Sequence, residues 1–89
     1  MSKPEWPAWW EWELELTSHL RKRMMDRSFT EVDLRHMLEV AEGFAPDLVP
    51  GRWIIETRHR RQQWAIIVEP DARRRLLVVI TAYPSEPSP

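Results

Sequence analysis

From Trp10 to Thr17 the chain alternates strictly, with Trp10, Trp12, Leu14 and Leu16 on one side and Glu11, Glu13, Glu15 and Thr17 on the other. A period of two is that of a half-buried strand, so residues 10–17 are read as the first strand. The glutamate row suits first a solvated edge that discourages pairing with other sheets, and second a pairing with arginines across the sheet. Beyond Thr17 the period lengthens. Thr17 and Ser18 are capping residues, Leu20 and Met24 share one helical face, and His19, Arg23 and Arg27 repeat every four residues on a neighbouring face as a cationic stripe. A break at Ser28 and Phe29 precedes a second start, with Thr30 as N-cap, Asp33 as the capping-box acid, and Phe29 and Leu34 placed as a hydrophobic staple. Leu34, Met37, Leu38 and Ala41 then mark an amphipathic helix running to about Glu42, which Gly43 is placed to end. On this pattern the methionines are core fillers.

The stretch Phe44 to Gly51 contains Pro46 and Pro50 and reads as an ordered loop. Three apolar segments at hairpin spacing follow, predicting strands near residues 52–59, 63–69 and 75–83. An arginine-rich turn at Arg60 and Arg61 joins the first two, and Pro70-Asp71 turns the chain into the third. Leu76 to Ile80 is apolar on both faces, which suits a central strand covered on each side. Ahead of the first strand, residues 1–9 carry Pro4 and Pro7 around Trp6 and read as an arm that packs its indoles onto the body, with a frayed tip. Residues 84–89 read as a short disordered tail. The expected architecture is a single α+β domain over residues 10–83 in the order β-α-α-β-β-β, a mainly antiparallel sheet with both helices packed on one face.

Composition fits this economy. A chain of 89 residues makes one domain that buries roughly 60–65% of its unfolded surface, and six tryptophans, Trp6, Trp9, Trp10, Trp12, Trp53 and Trp64, supply large apolar area to a small core. The absence of cysteine removes disulfide and thiolate chemistry and is compatible with a reducing compartment. With no signal-like apolar segment and no long apolar run, a cytoplasmic location away from the membrane is expected. The net charge of −1 hides a polar distribution, because Lys3 faces four glutamates within residues 1–17 whereas seven arginines face Glu56, Glu69 and Asp71 within residues 52–79. All cations except Lys3 and Lys22 are arginine, whose planar fork matches phosphate and carboxylate oxygens. Solvated turns and faces account for the same distribution in structural terms.

The order HLRKRMMDRSFTEVDLRHML, then GRWIIETRH, WAIIVEP and RLLVVITAYP resembles the bacterial domain-of-unknown-function family 4258, over about residues 14 to 84 and leaving out the tryptophan-rich arm. The spacing of His19, Arg23-Met24 and Arg27 and the ending Ile80-Thr81, Tyr83 carry the likeness together. The resemblance implies a fold shared with the BrnT and RelE toxins, within a wider group of ribonuclease-like folds, and brings no established activity.

Metal-independent RNA cleavage needs a base for the 2′-hydroxyl, an acid for the leaving oxygen and fixed positive charge at the phosphorus. His19 or His59 fits the acid or base role, since imidazole titrates at about 6.5. Arg23, Arg27 and Arg58 fit the phosphate, with Arg60 and Arg61 adding RNA contacts at the turn. Thr81 or Tyr83 can orient the phosphate through a hydroxyl, the phenol ionising only at about 10. Alternation sets a condition, for it puts Arg58, Thr81 and Tyr83 on the side of the sheet away from Trp53, Ile55 and His59 unless a bulge intervenes. Each residue also has a structural use: His19 can brace its helix, Arg23 can pair with Glu15 or Asp26, and Tyr83 can pack the arm. The three histidines are too scattered for a zinc site, two glycines make no phosphate loop, and no helix-turn-helix pattern is present. The leading expectation is a toxin-type ribonuclease without cofactor or metal, whose site includes His19, Arg23 and Arg58 and whose antitoxin or other protein partner is anchored by Trp6 and Trp9. The alternative is a non-catalytic binding module that associates as a homodimer through the arm and the sheet edge.

Overall fold

The computed structural model describes residues 6–85. After a 3-10 turn at Ala8–Glu11 come β1 (Glu13–Leu16), α1 (Ser18–Asp26), α2 (Glu31–Glu39), β2 (Gly43–Pro46), β3 (Trp53–His59), β4 (Gln62–Asp71) and β5 (Leu76–Pro84). The five strands form one sheet in the order β1-β5-β4-β3-β2, with β1 parallel to β5 and every other pair antiparallel. The chain is thus the expected α+β domain, its last strand an interior one between β1 and β4, with one short strand added.

Each helix starts where its cap predicts. The Thr17 hydroxyl accepts the Leu20 N–H at 3.0 Å and donates to the Ile80 carbonyl at 3.0 Å, so one side chain opens α1 and pins it to β5. At α2 the Asp33 N–H donates to Thr30 Oγ1 at 3.1 Å and the Thr30 N–H donates to Asp33 Oδ2 at 2.8 Å, a complete capping box. That backbone bond is the main reason the Asp33 carboxyl titrates below its ordinary value. Phe29 and Leu34, the expected staple pair, are both buried. The end of α2 differs from expectation: the helix stops at Glu39, with Val40 as C-cap, and Gly43 opens β2 instead of ending the helix. Gly43 stands opposite Glu56, whose Oε1 would lie 2.9 Å from a Cβ on Gly43, so the glycine makes room for a carboxylate across the strands. The predicted loop therefore begins as an edge strand, where Pro46 is tolerated.

Alternation decides what lies under the helices. Ile55 and Thr57 of β3, Trp64, Ile66 and Val68 of β4, and Leu77, Val79 and Ala82 of β5 are buried, and the apolar members pack with Leu20, Phe29, Leu34, Met37 and Leu38. The buried Thr57 hydroxyl donates to the Met37 carbonyl, tying α2 to β3. In β5 the register slips, because Val79 pairs with Val68 but Thr81 pairs with Ile67, leaving Ile80 as the extra residue of a bulge. After the bulge Ala82 is the core-facing residue, and Thr81 and Tyr83 turn to the opposite, helix-free face.

The aromatic arm joins the same core. Residues 10 and 11 belong to the 3-10 turn, so β1 is shorter than the predicted 10–17. Trp6, Trp9, Trp10, Phe44 and Trp53 form one ring cluster with centroid separations of 4.1 to 6.2 Å. Trp6 and Trp9 are half-buried within it, in line with an arm that packs its indoles onto the body. The predicted tail begins later than residue 84, since Pro84 closes β5 and the Ser85 N–H donates to the Gln63 carbonyl at 2.8 Å. The expected fraying of the arm and the rest of the expected disordered tail fall on residues 1–5 and 86–89, outside the described residues.

Candidate functional site

The residues proposed from sequence fall into two groups on opposite faces of the sheet. Helix α1 carries the first. His19, Lys22, Arg23 and Asp26 line a groove of about 190 Å³. Beyond it, Asp26 and Arg27 meet His59, Arg60 and Gln62 of the β3–β4 hairpin over Trp64 and Pro84, around a cleft of about 230 Å³. Asp26 belongs to both, so groove and cleft adjoin. At 1.5 Å per residue the stripe from His19 to Arg27 runs for about 12 Å, which places His19 beside the cleft's neighbour and not in the cleft.

Arg58, Thr81 and Tyr83 form the second group. Arg58 pairs with Gln63, Tyr83 with Ala65 and Thr81 with Ile67, all on the face away from the helices, whereas His59 lies on the core side of the same strand as Arg58. The expected set of His19, Arg23 and Arg58 does not share one cleft. The reason is the two-residue period of β3, and Thr81 and Tyr83 join the Arg58 side through the bulge at Ile80, where unbroken alternation from the buried Leu77 and Val79 would have put them on the core side, the reverse of the effect expected of a bulge.

The hairpin tip is strained and anchored. Arg60 and Arg61 form a two-residue turn with φ of 52° and 64°, a left-handed conformation usually taken by asparagine or glycine. An Arg60 guanidinium nitrogen donates to the Ser28 carbonyl at 3.4 Å, holding the tip against the end of α1. Arg61 is exposed at the outer corner.

His59 is half-buried, its ring centroid 6.5 Å from Phe29 and 5.6 Å from Trp64 in edge-to-face contacts. Its Nε2 and the Trp64 Nε1 are buried without a hydrogen-bond partner. Nδ1 makes no hydrogen bond and is not among the buried atoms, so it is the imidazole nitrogen that solvent or a ligand reaches. The positive field of His59 and Arg60 also contributes to keeping the Asp33 carboxyl low.

Charge pairing separates the cations. Arg35 binds Glu31 at 3.0 Å, Arg52 binds Glu69 at 3.0 Å, and Arg74 binds Glu15 at 2.8 Å and Asp71 at 2.7 Å. Arg21, Lys22, Arg23, Arg27, Arg58 and Arg61 have no ion pair among the described residues. The Arg23 pairing considered from sequence is absent, and Glu15 is engaged by Arg74.

Sequence reasoning missed Lys22, Asp26, Gln62 and Trp64 as lining residues. The signal for the first two was present, since His19, Lys22, Arg23 and Asp26 follow the i, i+3, i+4, i+7 spacing of one helical face. For Gln62 and Trp64 it was not, because their position depends on the hairpin closing against α1. Among the described residues no three histidine or carboxylate side chains gather as a metal site, and no helix is long and apolar enough to cross a membrane. A scan against protein-family models and searches of curated proteins and of solved structures found no match.

Proposed function

We propose that this chain binds single-stranded RNA along the α1 stripe and cleaves it, without a metal ion, in the His59 cleft, as a small ribonuclease of toxin type. The observation that carries the reading is the convergence of Arg27, His59 and Arg60 on one cleft from two elements that the Arg60–Ser28 bond holds together. A phosphodiester held by the two guanidinium groups would put its 2′-hydroxyl beside His59 Nδ1, the nitrogen free to take the proton. The unpaired Lys22 and Arg23 would hold the neighbouring backbone, and His19 would contact the strand there without entering the reaction. Asp26 adds a carboxylate to the cleft lining. The 2′-oxygen would attack phosphorus and the P–O5′ bond would break, leaving a 2′,3′-cyclic phosphate and a 5′-oxygen that takes its proton from water, so slow turnover is expected.

The test is a labelled single-stranded RNA followed by anisotropy across a salt series, with cleavage read on gels in the presence of a chelator. Three or four phosphate contacts predict a log–log salt slope of about −2 to −3, together with chelator-resistant cleavage. No binding at low salt would end the RNA reading. Binding without cleavage would keep RNA as the ligand and end the nuclease reading.

A further inference from the structure

On the other flank of α1 the surface changes character. Where α1 passes into α2, Met24, Met25, Phe29, Arg21, Ser28 and Thr30 line an open, mostly apolar groove of about 610 Å³. Met25 is 83% exposed, and Val32, two residues past Thr30, is 76% exposed. The sequence pattern assigns methionines to the core, and Met37 is there, fully buried. Met25 is not. It lies on the solvent side of a short helix whose apolar contacts run through Leu20 and Met24.

A cation frames it. Arg21, which lines the groove, precedes Met25 by four residues, one helical turn back on the same side. It has no ion pair among the described residues, although other arginines of this chain do. An unbranched thioether on a groove is a surface that adapts to apolar side chains. An exposed apolar patch rimmed by charge is the anatomy of a docking site.

We infer that the α1–α2 groove docks an acidic protein segment, seating one or two of its apolar side chains against Met24, Met25 and Phe29 while a carboxylate meets Arg21. Charge complementarity selects the occupant. Nucleic acid would satisfy the cation but brings no aliphatic side chain to the apolar floor, and a purely apolar helix would leave Arg21 unanswered. The site is separate from the His59 cleft, since Arg21 and Met25 do not line the cleft or its adjoining groove, and the inference stands whether or not RNA is the substrate.

The probe is a fluorescent acidic peptide with two leucines one helical turn apart, measured by anisotropy against the full chain, with a leucine-to-serine version beside it. The leucine peptide should bind and the serine version should not. Met25→Glu and Arg21→Glu should each weaken binding about tenfold or more, while the smaller change Met25→Ser should weaken it less. Both positions are solvent-facing, so circular dichroism should be unchanged. Met25→Glu should leave RNA affinity where it was. Equal binding of both peptides, insensitivity to Met25→Glu, or displacement of the peptide by RNA would overturn the inference. So would concentration-dependent self-association in sedimentation that Met25→Glu abolishes, because the occupant would then be a second copy.

Discussion

The two ends of the sheet both carry arginines, and they use them differently. At the β4–β5 turn Arg74 is clamped: its guanidinium donates to both Glu15 carboxylate oxygens at 3.0 and 2.8 Å and to Asp71 at 2.7 Å, and its N–H donates to Asp71 at 3.1 Å. The clamp joins β1, β4 and the turn, and it rests on Arg74 alone, since Arg73 and Arg75 have no ion pair among the described residues. At the β3–β4 end Arg58, Arg60 and Arg61, with Arg27 beside them, form no ion pair among the described residues, and Arg60 donates to a carbonyl. A guanidinium whose fork is filled has a structural use. One positioned with its fork empty is available to an external anion.

The largest expected effect tests the cleft. His59→Gln keeps a polar side chain near the same volume, and it should lower RNA cleavage by about 10²- to 10⁴-fold, the usual contribution of a general base. RNA affinity should stay within a factor of two or so, because no phosphate contact is lost. His19→Gln should leave the cleavage rate unchanged in single-turnover assays. If the two substitutions act equally, the chemistry is not in the His59 cleft.

Affinity comes next. Arg27→Ala and Arg60→Ala should each weaken RNA binding uniformly across sequences and reduce the salt slope by about 0.7 to 1. Arg74→Ala should change neither quantity. A loss of RNA affinity in Arg74→Ala as large as in Arg27→Ala would erase the distinction between the two ends.

The converse appears in stability. Arg74→Ala should lower the melting temperature by a few degrees, as expected for a small domain that loses an exposed but multiply bonded group. The pH dependence of that difference has a definite sign. Hydrogen bonds from the Arg74 side chain, then from its backbone, hold the Asp71 carboxyl below its ordinary 3.8. A carboxyl depressed in the folded state stabilises it above the unfolded value and loses that contribution as pH falls through the folded one. The gap between wild type and Arg74→Ala should therefore be full at neutral pH and should close below about pH 4. Thermal melts at a series of pH values measure it, and a gap that persists at pH 2 would place the effect elsewhere.

How much of this was legible in the sequence depended on the range of the interaction. The caps at Thr17 and Thr30, the Phe29–Leu34 staple and the order of elements follow from neighbours within one helical turn, and each was readable. Gly43 was misread because its reason, the Glu56 carboxylate, lies on another strand. The candidate site was readable as a list and not as a geometry. Period two separated His59 from Arg58 on paper, but the bulge at Ile80 is a matter of pairing with Ile67 and Val68, and no run of residues announces it. The clamp on Arg74 was equally hidden: Glu15 belongs to a glutamate row with two uses, and only the parallel pairing of β1 with β5 brings it to the turn.

The smallest expected effect is the most exacting for the comparison, because it concerns residues at the cationic end that face the wrong way. Arg58 has no ion pair among the described residues and stands one residue from His59, so proximity in sequence predicts a strong contribution. Its side chain and those of Thr81 and Tyr83 nevertheless share the helix-free face, with the sheet between them and the cleft. Across that thickness a single exposed charge acts only through a screened field, which falls off within about 8 Å at physiological salt. Arg58→Ala should therefore weaken RNA binding slightly at low salt and not at all at physiological salt, and Tyr83→Phe should change neither binding nor cleavage. A salt-independent loss in Arg58→Ala, or lost cleavage in Tyr83→Phe, would move the chemistry to the open face and leave the His59 cleft as packing between α1 and the hairpin.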